Sequence, residues 1–160
     1  MAVSPPSPPS RPGPTPEQVS LFIGRMWHFN RKLKQDVNPL LAEKHDLDTR
    51  RFFVLRGIQQ GAGYPKVLAE RLELPPALLS RYLDGLARQG LIARALDPDD
   101  SRRTRLSLTP QGEAALAATV QTVHELVGTR LSRLAPDTMA TVLGALAVLT
   151  DEGQTQENPA

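Results

Sequence analysis

Apolar side chains recur at three- and four-residue spacings from Glu17 onward: Val19, Phe22, Met26, Phe29, Leu33, Val37 and Leu40. That period lays them along one stripe of a long amphipathic helix. Pro39 lacks a backbone N–H and crowds the preceding turn, so it is expected to bend or interrupt the helix. Asp46-Leu47-Asp48 marks the next boundary. Asp48 is the candidate N-cap for a helix over Thr49–Gln60, with Phe52, Phe53, Leu55 and Ile58 mainly in the core. Gly61-Ala62-Gly63 then breaks the chain.

The next fifty residues carry a tighter pattern. Pro65–Leu72 reads as a short helix with Val67, Leu68 and Leu72 on one side, and Glu73-Leu74 as a turn. A longer helix starts at Pro75-Pro76, where proline is tolerated in the first turn, and ends at Gly90, suited to the left-handed position past a helix. At 100° per residue it has two faces: Leu78, Leu79, Tyr82, Leu83 and Leu86 against a core, and Ala77, Ser80, Arg81, Asp84 and Arg88 toward solvent. Two strand-like runs follow, Leu91–Leu96 and Arg103–Leu108, around a polar loop, Asp97–Arg102. A helix with arginine and hydroxyl side chains near its start can reach base edges and phosphates in a major groove. A hairpin tip holding Arg102 and Arg103 suits a minor groove, with Asp100 placed to pair with one of them. The combination is a winged helix-turn-helix.

These residues resemble the MarR family of transcription regulators. The resemblance covers about fifty contiguous residues, LAERLELPPALLSRYLDGLARQGLIAR followed by DPDDSRRTRLSLTPQG. It rests on the Ser-Arg pair, the Gly-Leu-Ile exit, the Asp-x-Arg-Arg wing and the Thr-Pro-x-Gly restart occurring together in order. It implies a homodimer, binding to a near-palindromic operator in double-stranded DNA, and release by a small effector. The chain departs from the family at Pro75, Pro76 and Ala77, which stand where this helix is often rich in Ser and Thr. Fewer donors there shift the expected specificity toward DNA shape and deformability.

After the wing, Thr109-Pro110 caps a helix striped by Leu116, Val120, Val123, Val127, Leu131 and Leu134. Pro136-Asp137 starts a last helix to about Leu149. Its Met139, Val142, Leu143, Leu146 and Leu149, with Ala140, Gly144, Ala145 and Ala147 between them, leave little polar face. Such a helix is expected to be buried between subunits. The expected organisation is therefore a disordered proline-rich tail (1–16), an N-terminal dimerisation helix region (17–48), the winged helix-turn-helix (49–109), C-terminal dimerisation helices (110–151) and a flexible tail (152–160). The fold class is mainly α with a small β wing.

Charge sharpens this picture. The 160 residues carry a net +2, but residues 50–108 hold eleven Lys/Arg against six Asp/Glu, while residues 109–160 hold two against six. Positive charge on the helix-turn-helix and wing is the footprint a phosphate backbone requires. The candidate DNA-binding residues are Lys66, Ser80, Arg81, Arg88, Arg102, Arg103 and Arg105. The chain has no cysteine, which excludes disulfides, thiol redox sensing and cysteine-ligated zinc. His28, His45 and His124 are scattered without ligand spacing, so no metal or other cofactor is expected. Ser80 has no base beside it and no glycine-rich phosphate loop follows a strand, which argues against an enzyme. The start lacks a signal pattern, and the longest apolar run, Thr138–Thr150, is too short for a bilayer. Cytoplasmic residence is expected, with no membrane partner.

Trp27 is the only tryptophan, beside His28 and one turn from Arg31. Packing in a dimer accounts for it. A second reading, implied by the resemblance, is an effector pocket in which the indole stacks on an aromatic acid and Arg31 pairs with its carboxylate. Arg50 and Arg51 are second-choice partners for that carboxylate. Two other functions fit the same pattern: a winged-helix scaffold for protein interactions, or an architectural protein that binds DNA without sequence preference.

Overall fold

The computed structural model describes residues 13–150. Its elements follow the predicted order: α1 (Pro16–His45), α2 (Thr49–Gln59), α3 (Pro65–Arg71), α4 (Pro76–Arg88), β1 (Ile92–Leu96), β2 (Thr104–Leu108), α5 (Pro110–Leu131) and α6 (Pro136–Leu149). The expectations for residues 1–12 and 151–160 lie outside the described residues. The chain divides into two units at Asp36/Val37.

The first unit contributes the N-terminal part of α1. The helix starts at Pro16, one residue before the expected Glu17: Thr15 caps it, with the Thr15 N–H donating to Gln18 Oε1 at 2.8 Å and the Gln18 N–H to Thr15 Oγ1 at 3.3 Å. This is a reciprocal capping box, legible as Thr-Pro-Glu-Gln. Leu21, Phe22, Ile23, Trp27 and Phe29 are all exposed along this stretch.

The second unit begins with the last turns of α1. Pro39 does not interrupt the helix, which runs unbroken to His45. Val37 and Leu41, both buried, flank the proline, and their packing outweighs the one missing backbone bond. The helix stops where Asp46 turns left-handed at φ 52. Asp48 then caps α2 as expected, its Oδ1 accepting the Arg51 N–H at 2.8 Å.

The core lies among α2, α3, α4, the strands and α5, around Val54, Leu55, Leu68, Leu79, Leu86, Leu91 and Leu116. Phe53, expected mainly in the core, and Val67, from the apolar side of α3, are outside it. Phe53 is 48% exposed and Val67 44%, while Val54 and Ala69, one or two positions on, take the inward places. On α5 the inward line is Gly112, Leu116, Thr119 and Thr122 rather than the full aliphatic stripe. The two buried threonines are affordable because their hydroxyls donate to the Ala115 and Ala118 carbonyls. Thr122 Oγ1 also lies 2.8 Å from His45 Nε2, tying α5 to the end of α1. Val120, Val123, Val127 and Leu131 are left half-buried. No residue of α6 is buried. None of the described helices is long and apolar enough to cross a membrane.

Candidate nucleic-acid interface

The helix-turn-helix is held by a short run of backbone geometry. Pro65 opens α3, Leu68 and Ala69 face inward, and Glu73 makes the turn in a left-handed conformation at φ 50. The Leu74 N–H returns to the Ala69 carbonyl at 3.0 Å. Pro76 then starts α4 with Leu79, Leu83, Gly85 and Leu86 buried. Gly85 admits the Arg51 side chain, whose Nη2 lies 3.7 Å from where a Cβ would stand. Neighbouring Arg50 donates to the Tyr82 hydroxyl at 3.2 Å, a bond that pushes its guanidinium above its ordinary pKa. Of the two arginines offered as effector partners, Arg50 is thus bonded to α4, and Arg51 packs beside Gly85 with its Nε 4.0 Å from Asp48 Oδ2.

The outer flank carries the predicted contacts. Ser80, Arg81 and Arg88 are exposed on α4, and Lys66 is exposed on α3. Lys66 and Ser80 come together in a groove of about 240 Å³ that also takes Arg94 and Thr104 from the wing. Leu79, Leu83 and Leu106 line its apolar part.

β1 and β2 pair antiparallel, Ile92 opposite Leu108, Arg94 opposite Leu106 and Leu96 opposite Thr104. Opposed residues share a face, so Arg94 lies in phase with the buried Ile92 and Leu106, on the side toward α4. There its Nη2 meets Asp84 Oδ1 at 2.7 Å, bracing the wing against α4. Arg94 was not among the predicted site residues. Its signal was present, since a period of two puts it on the inward face, but no carboxylate in the local sequence announced the partner. Arg105 falls on the opposite face, beside Ala95. Its aliphatic stem passes Gly63, whose carbonyl accepts the Leu106 N–H at 2.7 Å.

The wing loop is organised by Asp97, not Asp100. Asp97 is buried; its Oδ1 accepts the N–H groups of Asp99 and Asp100 at 2.9 and 3.1 Å, and its Oδ2 accepts the Tyr64 hydroxyl. The Tyr64 bond, with those N–H groups, holds the Asp97 carboxyl below its ordinary pKa, and the same bond pushes the Tyr64 phenol up. Asp100 Oδ1 instead accepts the Arg102 backbone N–H at 3.0 Å. The expected Asp100–arginine ion pair is therefore absent among the described residues. Arg102 and Arg103 are both exposed on the loop, and Arg103 lies over the Tyr64 ring at 4.3 Å. Tyr64 and Asp97 were missed in sequence because they stand 33 residues apart and neither is basic.

In the first unit, Arg31 lies over the Trp27 ring at 5.2 Å, and His28 is exposed. Among the described residues no group of three His, Asp or Glu side chains is placed to hold a metal ion.

Known proteins share this fold. The model of the MarR family matches residues 45–103. The HTH-type transcriptional repressor MdtR of Bacillus subtilis is 28% identical over 129 residues, covering 78% of this chain and 83% of that protein. The repressor YetL of the same organism is 38% identical over 52 residues, 32% of this chain and 31% of that one. The structure of apo MarR from E. coli aligns with a TM-score of 0.69 at 29% identity, covering 79% of this chain and 95% of that chain. A mutant MarR complexed with operator DNA aligns with a TM-score of 0.69 at 27% identity, over 85% and 99% of the two chains. With the helix-turn-helix and wing in place, residues 45–103 match the MarR family of transcription regulators, and the chain over most of its length is similar to winged-helix regulators of that family.

Proposed function

We propose that the protein is a homodimeric, sequence-specific repressor of transcription that a small-molecule effector releases from its operator. The observation that carries the DNA part is the exposed set Lys66, Ser80, Arg81, Arg88 and Arg102 on one helix-turn-helix and wing. The chain braces these elements through Asp84–Arg94 and Tyr64–Asp97. Two α4 helices entering successive major grooves require a near-palindrome with half-sites about 34 Å apart. Sparse donors at Pro75, Pro76 and Ala77 give DNA shape a larger share of the specificity than base contacts.

Dimerisation is supported by two apolar surfaces that the single chain leaves in water. Leu143, Val148 and Leu149 of α6 are 58%, 74% and 62% exposed, and Leu21, Ile23 and Trp27 of α1 are 60–61% exposed. Apolar surface on that scale is costly unless another chain covers it. The effector reading takes Trp27, His28 and Arg31 as its candidate residues, with an aromatic acid displacing the Arg31–Trp27 contact and pairing with the guanidinium. Release then follows if the effector favours a half-site spacing that does not match the operator.

The test is selection of genomic DNA fragments by the purified protein at two salt concentrations. Enrichment of a near-palindrome that weakens steeply with salt supports the reading. Recovery without sequence preference means an architectural protein. No recovery from folded, effector-free protein means an interaction scaffold. Trp27 fluorescence and DNA affinity that both ignore a panel of aromatic acids would remove the effector part.

A further inference from the structure

We infer that Tyr64 is a positioning residue for the wing: it orients Arg103 through its ring and, through its hydroxyl, engages the carboxylate that would otherwise form an ion pair with that arginine. The inference rests on the DNA-binding reading above and deepens it.

Tyr64 stands at the N-cap of α3, yet its side chain makes no capping bond. It reaches across to the wing instead, where the hydroxyl donates to Asp97 and the ring lies 4.3 Å from the Arg103 guanidinium. Asp97 and Arg103 are already adjacent, because the Asp97 N–H donates to the Arg103 carbonyl at 2.9 Å. A buried carboxylate on a residue whose backbone bonds to that of an arginine is a natural candidate for an ion pair with it. No such pair forms at either residue. Asp97 spends its oxygens on the Tyr64 hydroxyl and the N–H groups of Asp99 and Asp100.

A guanidinium stacked by its face keeps its in-plane N–H groups available, and those are the groups that bind phosphate. The stack also confines a long side chain before any DNA arrives, so its rotamer freedom is lost on folding rather than on binding. The ring thus orders Arg103, while the hydroxyl engages the carboxylate that would otherwise draw its N–H groups away from phosphate. Because Tyr64 belongs to the first residue of the helix-turn-helix, the wing arginine is held in register with α3 and α4.

The experiment is a mutant cycle on the selected DNA fragment, with affinity measured from about 50 to 200 mM salt and folding followed by urea denaturation. Arg103→Ala should weaken binding about threefold to tenfold and reduce the salt slope by about 0.9 per subunit. Tyr64→Leu should reproduce most of both changes, and the double variant should bind no worse than Arg103→Ala alone. Tyr64→Phe keeps the ring and frees Asp97 to pair with Arg103; it should also lower the slope, and Asp97→Asn in the same chain should restore it. Losses from Tyr64→Leu and Arg103→Ala that simply multiply would overturn the proposal. So would a Tyr64→Leu protein with wild-type affinity and slope. If Tyr64→Leu fails to fold, the slope of Tyr64→Phe and its rescue by Asp97→Asn decide the matter in the same way. Wild-type protein that ignores DNA would overturn the DNA reading itself, and this role with it.

Discussion

Gly112 is the point at which the wing, α4 and α5 meet, and replacing it with alanine should be severely destabilising. A Cβ there would lie 1.9 Å from the Leu91 carbonyl oxygen and 2.8 Å from its carbon, whereas real Cβ atoms stay at least 3.0 Å from such neighbours. The first turn of α5 must therefore retreat by at least about 1 Å, and backbone on both sides leaves no flexible side chain to absorb the shift. The retreat breaks the Thr109 N–H bond to the Leu91 carbonyl (3.1 Å) and the Thr109 hydroxyl bond to the Gly90 carbonyl (2.6 Å). Each loss costs about 1 kcal/mol, or more where a buried group is left unpaired. The helix propensity gained by alanine offsets less than about 1 kcal/mol of this. A net loss of about 2–4 kcal/mol is expected. Urea denaturation at fixed protein concentration measures it as a shift in midpoint with an unchanged slope. Gly128→Ala in the same helix is the comparator: nothing lies within 4 Å of its Cβ position, so a gain of about 0.5–1 kcal/mol is expected. Gly112→Ala within about 0.5 kcal/mol of wild type would refute the close-approach argument.

Three other outcomes are expected. Arg81→Ala should cost about 1–3 kcal/mol per half-site and relax sequence preference where the guanidinium reads a base; unchanged affinity and preference would remove Arg81 from the groove. Glu73→Gly should stabilise the fold by about 0.5–1 kcal/mol, since Glu73 holds a left-handed conformation at φ 50 that glycine adopts without strain; a lower thermal midpoint would contradict this. Asp97, whose carboxyl is held below its ordinary value of 3.8 chiefly by the Tyr64 hydroxyl, contributes stability that is present above that value. It is lost as pH falls through the lower folded pKa, so the stability gap between wild type and Asp97→Asn should shrink on acidification, and a pH-independent gap would sink the assignment.

Local pattern carried most of the fold. Helix boundaries at Asp48, Gly61, Pro76, Thr109 and Pro136 are written in caps, glycines and prolines, whose effects act within a few residues. The polar flank of α4 and the basic charge over residues 50–108 were legible in the sequence, and α4 does expose Ser80, Arg81 and Arg88. Where local rules competed with packing, packing decided. Pro39 sits within an unbroken α1 because Val37 and Leu41 are buried on either side of it. Phe53 faces outward and Thr119 inward because α2 and α5 present to the core a line slightly rotated from the most apolar one.

What tertiary structure alone decided is which charged groups find one another. Asp84 with Arg94, Arg50 with Tyr82, and Tyr64 with both Asp97 and Arg103 join residues 10 to 39 positions apart. Periodicity assigns a residue to a face of its own element, but it says nothing about which face of another element will oppose it. The sequence by itself determined that a basic helix-turn-helix and wing exist and which side meets solvent. Only the packed structure determined how the wing is braced and that Arg103, exposed like Arg102, is the arginine that lies over Tyr64.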